Sequence, residues 1–323
     1  MSGPVPAVAL GRSGLQAGRI GLGLAALGRP AYINLGHAAD IGEDRSVAAL
    51  RARTHTVLDA AFAAGVRSYD AARSYGLAED FLGSWLRERD VAPGAVTVSS
   101  KWGYRYTADW RDDAETQEIK DLSAATLRRQ LAETRERLGE HLALYQIHSA
   151  TLESGVLDDD AVLAELAALR AGGVAVGVTV TGPQQADTID RAVQTGAFDT
   201  VQATWNVHER SAGDALARAR AAGLGVMVKE AVANGRLAGR GAPAALADAA
   251  AELGASPDAV AIAVALAQPW ADVVLSGAST PAMLASNLSA LAITVPPELQ
   301  ERLGELVEPP ADYWATRSRL AWT

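Results

Sequence analysis

The sequence predicts an α/β protein, a (β/α)8 barrel that takes in the whole of residues 1–323. Three observations carry that expectation. Eight short, β-branched apolar runs alternate strictly with eight longer alanine- and leucine-rich segments. Such alternation builds a parallel sheet, and eight strands are enough to close it into a TIM barrel. No linker or low-complexity stretch divides the chain, so one domain is expected. The polar residues able to do chemistry also fall just past the strand-like runs, on the face where such barrels carry their sites.

The first element is a small hairpin over residues 7–10 and 14–17, placed to plug the barrel bottom. Strand-like runs follow at 19–24, 66–70, 96–101, 142–148, 174–181, 200–205, 225–229 and 272–275. Between them, apolar residues at helical spacing mark helices over 51–64, 79–89, 124–138, 159–171, 183–194, 213–222, 257–267 and 281–291. Ser123 stands where a cap is wanted, and Ser256-Pro257 and Thr280-Pro281 put proline at the first helical position. Gly65 and Gly172 sit just beyond helix ends, where a left-handed residue is favoured. Residues 28–44 are too irregular for a helix and read as a loop. After Val295 comes a proline-rich tail carrying Tyr313, Trp314 and Trp322.

Composition narrows the chemistry. Hydrophobic residues make up 49% of the chain and charged residues 21%, enough for a large core. A net charge of −9 with no basic stripe argues against nucleic-acid and membrane partners. The absence of cysteine excludes disulfides, thiolate catalysis and iron–sulfur clusters. Five scattered histidines show no metal-ligand spacing, so no metal is expected. The N-terminus lacks the pattern of a signal peptide and no apolar run reaches membrane length, so the expected location is cytoplasmic. The oligomeric state is open, monomer or homo-oligomer.

One motif misleads. Gly21-Leu-Gly23-Leu-Ala-Ala26 satisfies the letter of a dinucleotide fingerprint, which needs a helix to begin at the motif. Gly28-Arg29-Pro30 follows at once and forbids that helix. The glycines suit a close approach of backbone to a ligand instead.

Four polar residues stand at or beyond the ends of strands two to four: Asp70, Tyr75, Lys101 and His148. Singly, each has a structural role open to it: a helix cap, a loop aromatic, a snorkelling lysine, a core histidine. Together they form a proton-delivery set. A lysine ammonium beside a phenol would lower its pKa, and an aspartate would hold the lysine. Tyr75 would then serve as general acid toward a carbonyl oxygen, with His148 orienting that carbonyl. A hydride, which no side chain supplies, would have to come from a nicotinamide cofactor.

The stretch Ser68-Tyr-Asp-Ala-Ala-Arg-Ser-Tyr-Gly76, with Glu79 and Leu82-Gly83, resembles the F-D-T-A-x-x-Y-G-x-[SA]-E-x-x-[LI]-G signature of the aldo-keto reductase superfamily. The resemblance extends from Gly21 to Leu291 and places Asp70, Tyr75, Lys101 and His148 on the family's catalytic tetrad. It implies NADP(H)-dependent reduction of aldehydes and ketones, with NAD(H) as the other possibility. It implies an extended cofactor across the barrel mouth, contacted near Gly23, Leu24 and Asp70. Leu275-Ser-Gly-Ala-Ser-Thr-Pro281 resembles the phosphate-holding loop, giving Gly277, Ala278 and Ser279. Asn287 matches an adenine contact and Gln202 a carboxamide contact, and Thr179 replaces the usual serine beside it.

There are departures from the pattern. Val180 replaces the asparagine that normally follows that serine. Lys229 stands where an aromatic ring usually stacks on the nicotinamide, leaving Trp205 as a substitute. Met283 replaces an arginine that often clamps the 2′-phosphate, and Gly277 replaces a lysine. Arg236 and Arg240 either supply that charge or are solvated. Trp102, Tyr104 and Trp314 are the expected walls of a pocket for a small carbonyl or sugar substrate. Alternative functions are an NAD-linked sugar 1-dehydrogenase, a Schiff-base aldolase using Lys229, and a non-catalytic cofactor-binding barrel.

Overall fold

The computed structural model describes residues 5–323, apart from the side chain of Arg240. Twelve strands occur among them: β1 (Ala7–Ala9), β2 (Gln16–Gly18), β3 (Ile20–Gly23), β4 (Ser68–Asp70), β5 (Thr97–Trp102), β6 (Tyr104–Tyr106), β7 (Glu118–Lys120), β8 (Leu142–Ala150), β9 (Ala175–Val180), β10 (Thr200–Thr204), β11 (Gly225–Lys229) and β12 (Val273–Ser276). Eight of these close a parallel barrel in the order β3-β4-β5-β8-β9-β10-β11-β12, with β12 pairing back onto β3. The fold is the (β/α)8 TIM barrel that the strand–helix alternation predicts.

The helices are α1 (His37–Ile41), α2 (Val47–Ala63), α3 (Ala78–Glu88), α4 (Ala124–Leu138), α5 (Asp160–Ala171), α6 (Gln185–Thr195), α7 (Gly213–Ala221), α8 (Ala244–Glu252), α9 (Pro257–Leu266), α10 (Pro281–Leu288), α11 (Pro297–Gly304) and α12 (Pro310–Ser318). The barrel strands are buried on both faces, as parallel strands covered by helices must be; every residue of β9 is buried. At Gly177 an added Cβ would lie 2.2 Å from Thr200 Oγ1, so only glycine fits that point of the wall.

The β1–β2 hairpin plugs the barrel bottom. Its Leu10 is 1% exposed and packs with Leu144, Met227, Val273 and Leu275 from the strands above. Arg12 fastens the hairpin by donating to the carbonyl of Phe198 at 2.6 Å.

Several local expectations need correction. The loop at 28–44 contains the short helix α1, and the tail contains α11 and α12. Helix α8 and the β6–β7 hairpin are additional elements. Helix α2 begins at Val47 because Ser46, not a later residue, caps it by accepting from Ala49 N. Ser123 and Thr280 cap α4 and α10 as expected. Ser256 precedes Pro257 but its hydroxyl pairs with Ser286 instead of capping. Gly173, with φ of 91°, takes the left-handed position expected of Gly172. After Gly23 the chain turns, and no helix begins until α1, which removes the dinucleotide fingerprint reading.

Candidate active site

Asp70 ends β4 and Lys101 lies in β5, their side chains 4% and 1% exposed. Lys101 Nζ donates to Asp70 Oδ2 and, at 2.9 Å, to the carbonyl of Ala71. Asp70 Oδ1 accepts from Ser99 Oγ at 2.6 Å and Gln146 Nε2 at 3.2 Å, with Gln202 Nε2 at 3.5 Å. A buried ion pair persists only when its remaining hydrogen-bonding capacity is met, and here residues from three strands, β5, β8 and β10, and the Ala71 carbonyl meet it.

Tyr75 follows β4 in a loop fixed by a close backbone crossing. A Cβ at Gly28 would lie 2.1 Å from the Tyr75 carbonyl oxygen, and one at Gly76 2.4 Å from the Gly28 oxygen. Leu77 N donates to that same Gly28 oxygen at 2.7 Å. The Tyr75 hydroxyl stands 3.5 Å from His148 Nε2, on β8. Ser74 Oγ lies 3.4 Å from the other ring nitrogen, Nδ1.

The electrostatics differ from the expected pattern. Burial, with the Asp70 carboxylate adding to it, pushes the Tyr75 phenol above its ordinary range. The Lys101 ammonium, paired with Asp70 and facing the ring 5.0 Å from its centroid, does not reverse that rise. Tyr75 is therefore a protonated donor. Burial, followed by Lys101, Lys229, Arg29 and Lys120, holds His148 well below its usual value. Its imidazole is neutral at physiological pH and carries one N–H.

These side chains open onto a cavity of about 860 Å³. Near Tyr75 it is walled by Arg29, Tyr32, Tyr104, Glu118 and Trp322. Arg29 is buried, ion-paired with Glu118 at 3.1 Å, and sits 4.7 Å from the Trp322 ring centre and 5.3 Å from that of Tyr75. The backbone of Thr323 pairs with Tyr32 in both directions at 3.2 Å, which brings Trp322 over the mouth. Lys229 also faces the cavity and donates to Thr204 Oγ1 at 2.8 Å. Burial lowers it to about 8, with Glu230 opposing that shift.

From β8 the cavity reaches across the barrel to β12, four strands round the ring, and on to α9 and α10. The residues there fit an extended dinucleotide. Gly277 leaves open space where a Cβ would stand, and buried Asn234, in the cavity wall, has an Oδ1 without a partner. Among the described residues, no group of three potential metal ligands gathers, and no single helix is long and apolar enough to cross a membrane.

A family model described as the aldo/keto reductase family matches residues 19–308. The chain belongs to that family. A search of the curated proteins finds no match. Among solved structures, the holo form of an aldo-keto reductase from Bacillus halodurans superposes with a TM-score of 0.72 at 20% identity, over 94% of this chain and 97% of its own. A Pseudomonas aeruginosa protein provisionally described as an aldo-keto reductase gives 0.65 at 23% identity, over 89% and 96%. A second structure so described from that organism gives 0.64 at 24% identity, over 89% and 95%. These likenesses establish the fold. Family membership makes the protein an NAD(P)(H)-dependent oxidoreductase in general terms.

Of the expected cofactor contacts, Gly23, Asp70, Gln202, Lys229, Gly277, Met283 and Asn287 line the cavity. Others do not. Leu24 and Ala278 are fully buried elsewhere, and Ser279 gives its hydroxyl to Asp40. Thr179 Oγ1 accepts from Ser149 N at 2.7 Å, so it positions the residue after His148, and Thr181 faces the cavity instead. Trp205 packs against Trp270 rather than over the site, because it lies beyond the end of β10 against the helical layer. Arg236 is ion-paired with Glu308 and turned onto Tyr313. The side chain of Arg240 lies outside the described residues. Of the expected substrate walls, Tyr104 is present, but Trp102 is wholly buried and Trp314 packs on Tyr313. The residues missed from sequence are Arg29, Tyr32 and Glu118, with the Glu230–Arg317 pair, whereas Trp322, named among the tail aromatics, lines the cavity. Their contacts join segments far apart in the chain.

Proposed function

We propose that the protein interconverts an aldehyde or ketone and the corresponding alcohol with a nicotinamide dinucleotide, Tyr75 acting as general acid in the direction of reduction. One observation carries this reading: a protonated phenol beside a neutral imidazole, above a buried lysine–aspartate pair, at the wall of a cavity long enough for a dinucleotide. When bound, the nicotinamide would supply the hydride that no side chain can.

The chain's own residues handle the proton and the carbonyl. His148 Nε2, near the Tyr75 hydroxyl, helps aim the substrate oxygen at that hydroxyl. The Tyr75 O–H then passes its proton to the oxygen as negative charge develops there. The phenolate that results lies beside Lys101 and Arg29, whose charges stabilise it at the moment it forms. Gln202 and Asp70 line the cavity where the carboxamide end of a nicotinamide would sit. The whole chain is read as one catalytic unit.

A second reading, oxidation of a free sugar, is favoured by the wall chemistry. Carboxylates and guanidinium groups of the Arg29–Glu118 and Arg317–Glu230 pairs accept and donate to hydroxyls, and Tyr32, Tyr104 and Trp322 offer rings to stack against. Purified protein should consume reduced dinucleotide with members of an aldehyde and ketone panel, or produce it from aldoses. No turnover with either set would contradict the proposal.

A further inference from the structure

The two ends of the cavity differ in charge. At the reacting end the described cations Arg29, Lys101, Lys229 and Arg317 stand among the carboxylates Asp70, Glu118 and Glu230. At the other end, beyond β12, the described ionisable side chains are two carboxylates, Asp258 of α9 and Asp40 of α1. Asp258 Oδ2 accepts from Ser286 Oγ and from Asn287 Nδ2, both at 2.7 Å. Asp40 Oδ2 accepts from Ser279 Oγ at 3.2 Å. Each carboxylate has its second oxygen free of donors among the described residues. Met283 lines this end with a thioether, and Gly277 with no side chain. Arg236, in the loop after β11, is ion-paired with Glu308.

A dinucleotide with its nicotinamide at Tyr75 and His148 must place its adenosine at this acidic end. The phosphorylated and unphosphorylated dinucleotides differ only there, in the group on the adenosine ribose 2′ carbon. A hydroxyl can donate to a carboxylate, whereas a phosphate monoester carries roughly −1.5 to −2 and asks for a guanidinium. Two carboxylates welcome the first and repel the second. Resting on the oxidoreductase reading above, we infer that the protein selects NAD(H) over NADP(H), and that Asp40 and Asp258 make the selection. This reverses the preference implied by family resemblance.

The test is a pair of binding titrations of the full chain with NADH and with NADPH, read from its seven tryptophans by fluorescence. NADH should bind at least about tenfold more tightly, a gap of the size that one like-charge contact near a surface produces. Added salt should narrow the gap by screening the repulsion. Asp40→Asn and Asp258→Asn should each tighten NADPH binding by about threefold or more without a matching gain for NADH. Asp40 is the cleaner site, since its carboxylate holds only Ser279, whereas Asp258 also fixes Asn287. NADPH binding as tight as NADH would overturn the inference, and so would an NADH preference that neither variant alters. Binding of neither dinucleotide would remove the oxidoreductase reading itself, a result distinct from both.

Discussion

Lys101 Nζ meets the face of the Tyr75 ring, 5.0 Å from its centre, and not the phenol oxygen. The ammonium is held there by Asp70 and by the carbonyl of Ala71. The lysine thus keeps its charge close to the phenol while leaving the hydroxyl free to face the cavity. That charge attracts the negative charge that grows on the phenol oxygen as the proton leaves, an interaction stronger in the transition state than in the resting enzyme.

The Lys101–Asp70 pair also makes a stability prediction. Lys101→Met strands a carboxylate that is 4% exposed, with only neutral donors around it. Breaking a buried pair in this way costs about 3–5 kcal/mol. The double variant Lys101→Met/Asp70→Asn removes the stranded charge and should recover more than half of the loss. Urea unfolding of the parent and the two variants decides it. Equal stability of the single and double variants would show that the charges do not interact as described.

The backbone crossing beneath Tyr75 can be tested with one methyl group. Gly28→Ala drives a Cβ to 2.1 Å from the Tyr75 carbonyl oxygen, so the loop must shift. Overpacking of this kind costs about 1–3 kcal/mol, and the shift should lower turnover as well. Gly277→Ala meets nothing within 4 Å and should leave the unfolding midpoint unchanged. If both variants unfold alike, the crossing does not hold the loop.

Much of this was legible in the sequence because the physics involved is local. Eight apolar β-branched runs could only be strands buried on two faces, and Ser123 and Thr280 announced helix starts. The quartet was visible because all four residues sit near or just beyond the C-terminal ends of barrel strands. The errors have both local and long-range causes. Trp102 follows Lys101 by one residue, and alternation along a strand sends neighbours to opposite faces, so the lysine turns inward and the tryptophan outward. Arg29 and Arg317 stayed hidden because their partners, Glu118 and Glu230, lie 89 and 87 positions away. The β6–β7 hairpin, which brings Tyr104 and Glu118 to the cavity, was signalled only by two three-residue strands around a polar turn.

Glu230 and Lys229 give opposite pH signatures. Burial would raise the Glu230 carboxyl, but Arg317 and Lys229 hold it at about 2 against an ordinary 4.5. The unfolded chain therefore binds more protons in that window, and the stabilisation, of order 3 kcal/mol, is complete above 4.5 and lost as pH falls toward 2. Lys229 is lowered from 10.5 to about 8, so its contribution makes the fold more stable as pH rises through that interval. Glu230→Gln should flatten the acid limb of stability against pH, and Lys229→Met the alkaline rise. Unfolding midpoints across pH would test both, and unchanged limbs would contradict the assignments.

The proton role of Tyr75 is the central claim, and Tyr75→Phe tests it most directly, because the change deletes one oxygen and keeps the ring against Lys101 and Arg29. Dinucleotide binding by fluorescence and turnover on the best substrate from the carbonyl or sugar panels should be measured on the same preparation. The account predicts binding within about twofold of the parent and turnover reduced by about 10²–10⁴, the range that a positioned general acid contributes. Turnover within a few-fold of the parent, with binding intact, would show that the proton comes from another group.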